Sequence, residues 1–370
     1  MTDLATLNPI ARHKDAAAPA KALHQLWFTR CPVPTATGLA YKLGWLTEEF
    51  TRDGLPLETL QESASNELRR HHYDHDLQSL VREGGNLLAI GARAQGAPTR
   101  LVGLTWIDEH QAILVRGDSD IRHPKDLKGR RLALPTWTDH PIPSHQRGSS
   151  IARGMSLHGY KGALAFAGLT LDDVTLVEVE SRRANRQGTP TDRLNGNAVA
   201  GLWSLQALAA GEVDAVYVKG AAAIDGARAL GLDVGINLDK LPERRFRVNN
   251  GTPRPITVHQ ALLDEHFDLV VRFLHQTLRA ADWARDNLDG VRNVLESETR
   301  GSAGAVTEAY SDDALRNLHP TLDDERLGLF EQQKKFTWVY GFSENDFSLD
   351  EWVDERPLEA ANKLLAAAKA

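Results

Sequence analysis

With 370 residues the chain exceeds one ordinary core and suits two domains of roughly 150 residues each. Its 43 basic and 50 acidic side chains leave a formal charge of -7, so there is no basic field for nucleic acid, and no apolar run is long enough to cross a membrane as a helix. One cysteine excludes an internal disulfide and a thiolate metal cage, and residues 1–22 show no apolar core of the kind an export signal needs, so a reducing, cytoplasmic setting with a free thiol is expected.

In chain order, residues 26–30 read as a first strand that runs into the single cysteine. In Cys31-Pro32-Val33-Pro34 the two prolines have fixed φ and no amide hydrogen, which puts the thiol at an abrupt exit from extended structure. Leu39, Leu43, Leu46 and Phe50 then recur at helical steps, predicting a helix over 35–53. A thiol at such a strand-to-helix turn is placed for a ligand or for chemistry, although a lone cysteine by itself reads first as a small buried apolar residue. A strand over 54–60 and a helix over 74–83 follow, the helix stopping at Gly84-Gly85. Short apolar runs at 86–90, 100–106 and 112–116 read as strands, and the alternation implies parallel βαβ units in a doubly wound sheet.

A second series begins near Ile121 with a short helix, a turn and a strand ending at Pro135. A helix opens at Gly148-Ser149-Ser150 and runs through Leu157, followed by a strand at 174–179, a helix at 198–210 and, over 211–218, a turn into another strand. Residues 247–255, with Asn249, Asn250, Gly251, Pro253 and Pro255, read as a linker. Amphipathic helices are expected over 258–287, 312–318, 322–336 and 358–369.

Two phrases, Asp126-Leu127-Lys128-Gly129-Arg130-Arg131-Leu132-Ala133-Leu134-Pro135 and Gly211-Glu212-Val213-Asp214-Ala215-Val216, resemble the type II periplasmic substrate-binding proteins of the sulfonate- and nitrate-binding branch. The resemblance implies an α/β fold of two lobes, each a doubly wound mixed sheet flanked by helices, with an anion held in the cleft between them. Residues 1–117 and 250–370 would form a discontinuous first lobe and 118–249 the second. Cys31-Pro32-Val33-Pro34 is similar to the nucleophile motif of the aryl-sulfinate desulfinases, cytosolic enzymes built on that fold. His72, ten residues before Arg82 in Arg82-Glu83-Gly84-Gly85, reproduces that family's spacing, and Asp76 also falls in register. What the resemblance implies is a cofactor-independent, cysteine-dependent hydrolase that breaks a carbon–sulfur bond and releases sulfite, with Cys31, His72 and Arg82 as catalytic residues.

The chemistry suits those residue types. A sulfinate is an anion with an electrophilic sulfur. Its cleavage calls for a soft nucleophile or proton donor, a fixed cation and oriented amides, which Cys31, Arg82 and the Gly84-Gly85 backbone can supply. A neighbouring histidine raises the thiolate fraction. Thr29 keeps the hydroxyl that the family carries two residues before its cysteine, and Gly148, Ser149 and Ser150 offer amides and hydroxyls at a helix start. Plainer readings stand beside these: Arg82 interacting with a helix C-terminus, Gly84-Gly85 as a cap, and Ser150 as an ordinary N-cap. His71 and His75 can share a helical face, but no nearby cysteine or His-Glu-x-x-His pattern supports a metal, and none is expected. Two positions depart from the family: Glu83 stands where it has an aromatic residue, and Ser150 where it has a tryptophan. The expected ligand is therefore a small anionic organosulfur compound bound by a retained centre in an altered pocket. A sulfonate- or nitrate-type transport binding protein is the alternative.

Overall fold

The computed structural model describes residues 23–31, 33–137, 150–180, 204–299 and 301–369. The chain lays down β1 (Leu26–Arg30), β2 (Leu57–Thr59), β3 (Leu80–Glu83) and β4 (Thr99–Thr105), then β5 (Gln111–Arg116), β6 (Arg131–Pro135), β7 (Thr175–Val179), β8 (Val216–Lys219) and β9 (Leu232–Asn237), and returns with β10 (Arg254–His259). The first sheet has the order β2-β1-β3-β10-β4, with β1 parallel to both neighbours and β10 antiparallel to both of its own. Every residue of β1 is buried, as expected of a central strand covered on both faces. Phe28 meets the ring of Phe273 at 5.4 Å, which docks the 20-residue helix Phe267–Asp286 on this sheet.

A second sheet, β8-β5-β9, lies beside the parallel pair β6-β7, and a bridge between Leu132 and Ala215 ties the two together. Because β5 hydrogen-bonds to β8 and β9, the chain passes to the second sheet within residues 106–110, ahead of the division expected at 117. The cores are also separate: Phe28, Leu39, Phe50 and Phe273 pack in one, and Ile113, Leu132, Tyr160 and Ile236 in another.

Several expected elements are corrected. The helix expected over 35–53 is two, α1 (Ala36–Lys42) and α2 (Trp45–Thr51), because Gly44 takes a left-handed φ of 80° between them. In place of a helix over 74–83 there is α3 (Asn66–Asp74), capped by Ser65 and ended by His75 at a φ of 61°, followed by β3. The run at 86–90 is the start of a helix, α4 (Asn86–Ala94), whose first seven residues are all buried, so the short apolar run alone did not distinguish helix from strand. The supposed linker delivers a central strand, β10, so the helical stretch begins only at Gln260. The helix expected from residue 148 is α5 (Ile151–Phe166), and residues 204–209 are helical. Gly148, Ser149 and residues 198–203 lie outside the described residues, as does Pro32.

Candidate active site

The sheet gathers the chemistry at one edge. Thr29 of β1 is in register with Arg82 of β3, and Arg82 with Thr257 of β10. Cys31 follows the carboxyl end of β1, Gly84 the carboxyl end of β3, and Arg254 opens the antiparallel β10 at the same edge. Ligands of open α/β sheets bind outside the carboxyl ends of parallel strands. The helix α4 also starts here, at Gly85-Asn86.

His72, on the last turn of α3, is buried and fixed by a relay. Gln61 Nε2 donates to Thr29 Oγ1 at 2.6 Å and to the Arg30 carbonyl at 2.5 Å, and Thr29 Oγ1 lies 2.8 Å from His72 Nδ1. With its oxygen already accepting, the Thr29 hydroxyl is free to donate to Nδ1. Donation from Thr29 corresponds to the Nε2–H tautomer and leaves Nε2 for Cys31, on which His72 acts. Burial lowers the pKa of His72, so the ring is neutral near pH 7. Thr29, expected among the ligand-binding residues, is thus wholly buried beside the imidazole and holds it. Asp76 is exposed, and His71 pairs with Asp74 at 2.8 Å.

Arg82 and Arg254 are 1 % and 3 % exposed. Arg82 donates from Nε to the His72 carbonyl at 3.2 Å and from Nη2 to the Gly85 carbonyl at 3.1 Å, while Nη1 has no partner among the described residues. The guanidinium lies flat against Gly84, where a Cβ would sit 2.6 Å from Nη2. A Cβ on Gly85 would meet the Asn250 side chain at 2.5 Å. These are the close approaches that require glycine. The Gly84 amide points to the Pro255 carbonyl at 3.4 Å, and the Gly85 amide makes no backbone hydrogen bond among the described residues. Of the expected amide pair, Gly85 is therefore the available donor.

A tight turn at 249–253 closes over the start of α4. Asn250 Oδ1 accepts from the Leu87 amide at 3.0 Å, and Asn86 Nδ2 donates to the Asn249 and Pro253 carbonyls at 2.7 and 2.8 Å. Arg254 leaves this turn, and its charge acts on the Cys31 thiol. Its Nε and Nη1 have no partner among the described residues. Burial pushes the Cys31 thiol up, but the Arg254 charge, the His72 side chain and the Arg82 charge together bring it well below its ordinary value. Burial also draws Arg82 down, to about 10.

Arg254 is the residue of this cluster that sequence reasoning missed. The Asn- and Gly-rich stretch before it read as a linker, and only the apolar Ile256 and Val258 signalled the strand that carries it. Glu83, read as a change in the pocket wall, is wholly buried, accepts from Thr105 Oγ1 at 3.0 Å and is raised by burial. Ser150 is buried immediately before α5. That helix comes close to α4, with a Cβ on Gly154 falling 2.8 Å from Leu87 Cδ1. Among the described residues no group of three acidic, histidine or cysteine side chains is placed to hold a metal.

No protein-family profile matches the chain. It is similar to 2'-hydroxybiphenyl-2-sulfinate desulfinase of Rhodococcus erythropolis, 29% identical over 354 residues that span 89% of this chain and 91% of the relative. The crystal structure of the desulfurization enzyme DSZB matches with a TM-score of 0.65 at 25% identity, over 92% of this chain and 99% of that one. The periplasmic aliphatic sulphonate binding protein SsuA from Escherichia coli matches with a TM-score of 0.63 at 15% identity, over 90% and 93% of the two chains. The fold is of the periplasmic-binding-protein-like class, and the similarity to the desulfinase spans 89% of the chain.

Proposed function

We propose that the protein is a cysteine-dependent desulfinase that hydrolyses the carbon–sulfur bond of an organic sulfinate and releases sulfite. The observation that carries this reading is a thiol on which a buried histidine and two buried arginines act, with donors of both guanidinium groups lacking a partner among the described residues. A cysteine kept only for packing has no use for such a field. The sulfinate oxygens take Arg82 Nη1 and the Gly85 amide, which turns the sulfur toward Cys31. The thiolate adds to sulfur, the carbon–sulfur bond breaks with its electron pair on carbon, and the carbon takes a proton passed through His72. Water then claims the sulfur as hydrogen sulfite, the thiolate returns, and no oxidant or reductant is consumed.

The likeness to a sulfonate-binding protein supports a second reading, in which the same cations hold an anion without chemistry. The experiment that separates them is sulfite release by the wild type and Cys31→Ser, given aryl and alkyl sulfinates beside the matching sulfonates. Cysteine-dependent sulfite from any sulfinate upholds the enzyme. Equal thermal stabilisation of both proteins by these compounds, with no sulfite from either, upholds the binder.

A further inference from the structure

We propose that Arg254 is a catalytic residue, forming with Arg82 a two-guanidinium seat in which one small oxyanion, the sulfinate head group or the sulfite product, lies against Cys31. This deepens the desulfinase reading and rests on it. Arg254 Nε and Nη1 and Arg82 Nη1 are buried donors without partners among the described residues, and both side chains act on one sulfur atom. Buried guanidinium donors are seldom left unmet, so acceptors are expected to arrive with a ligand.

The surroundings hold Arg254 in place without using up its fork. Glu109, pinned by Lys219 at 2.6 Å and by the Tyr310 hydroxyl at 3.3 Å, and Glu83 both attract Arg254. A Cβ on Gly251 would lie 2.8 Å from both Arg254 Nη2 and Lys219 Nζ, so this glycine lets the two cations pass close to the turn. Three buried cations, Arg82, Arg254 and Lys219, thus stand near the carboxyl groups of Glu83 and Glu109, and a Cys31 thiolate adds a further anion beside them. Reaction brings a second sulfur anion beside the first. One guanidinium cannot screen both, whereas Arg254 can hold the thiolate while its free donors and Arg82 take the oxygens.

The groups facing Cys31 are His72 and Tyr73 from α3, Arg82 from β3 and Arg254 from β10. The test is the pH profile of Cys31 alkylation by iodoacetamide, with and without sodium sulfite or benzenesulfinate as protectant, in the wild type, Arg254→Gln and Arg254→Lys. In Arg254→Gln the alkylation midpoint rises by about one pH unit or more, the rate at pH 7 falls roughly tenfold, and protection by either anion disappears. Arg254→Lys restores the midpoint but needs about tenfold more protectant, because it keeps the charge and loses the fork. A folded Arg254→Gln with the wild-type profile and protection overturns the proposal. If that variant does not fold, wild-type protection in Arg254→Lys overturns it. Sulfite release from sulfinates is assayed alongside. Unaltered release by either Arg254 variant removes the residue from catalysis and leaves the desulfinase standing. Shifted alkylation in a protein that desulfinates nothing keeps the anion seat and removes the desulfinase.

Discussion

Gly84→Ala tests the site most sharply, because it moves one group by a known amount. The new Cβ would fall 2.6, 2.7 and 2.9 Å from Arg82 Nη2, Cζ and Nη1, against about 3.4 Å for ordinary contact. The guanidinium must therefore retreat by roughly 0.8 Å, since the main chain of Gly84 is fixed between β3 and α4. That retreat stretches the bonds to the His72 and Gly85 carbonyls, already 3.2 and 3.1 Å long. A displacement of this size in a positioning cation costs on the order of 100-fold in rate, about 2.7 kcal/mol of transition-state stabilisation. Steady-state sulfite release, with calorimetric binding of a sulfinate to Cys31→Ser and Cys31→Ser/Gly84→Ala, reads both halves of the effect. The expected result is a large fall in kcat/KM with a melting temperature close to that of the wild type. A Gly84→Ala enzyme within twofold of wild type, binding the sulfinate equally well, would refute the placement of the ligand on Arg82.

Three further outcomes follow from the same geometry. Thr29→Val keeps the shape but removes the 2.8 Å partner of His72 Nδ1, so chemical denaturation should show a loss of about 1–3 kcal/mol, and kcat should fall roughly tenfold with KM nearly unchanged. The folded state holds the Cys31 thiol below its ordinary 9.0, so its stabilisation is complete above that pH and is lost as pH falls through the folded value; urea titrations across pH should show the wild type gaining on Cys31→Ser as pH rises toward 9, and sulfite release should fail on the acid side. Gly162→Ala on α5 places a Cβ 2.2 Å from the Phe246 carbonyl oxygen, and this rigid clash, about 1–3 kcal/mol, should outweigh the ~1 kcal/mol of helix propensity that alanine brings, lowering the melting temperature.

How much of this was legible in the sequence depended on how far each signal reached along the chain. The bounds of β1 were readable because an aromatic, wholly buried run ends against prolines. Cys31, His72 and Arg82 were readable as a set, yet their backbone setting was not. His75 ends α3 in a conformation that non-glycine residues seldom adopt, and Leu80-Val81 is too short a run to show a period of two. The consequence is chemical. On a helix Arg82 would have faced a dipole at a C-terminus, whereas on β3 it reaches back to the His72 carbonyl and lies on Gly84. Arg254 carried no local signal, since its value comes from β10 inserting between β3 and β4, a pairing set far along the chain. Thr29 was found for its hydroxyl, but its partner, Gln61, is visible only once β1 and β2 are side by side.

The difference between binding an anion and cleaving it is narrow in this architecture. A binder needs cations and amides at the sheet edge, dry enough for each interaction to count, and Arg82, Arg254 and the start of α4 supply these whether or not a thiol is present. A cysteine introduced at the end of β1 then meets a field already built for an oxyanion and ionises, because the charges that would bind the ligand also stabilise the thiolate. What a binder would lack is a means of managing the proton. The Gln61–Thr29–His72 relay provides one, with the ring neutral and its Nε2 left for the sulfur. The relay, more than the two arginines, is what separates the readings, and Thr29→Val should therefore leave anion affinity intact while it slows sulfite release.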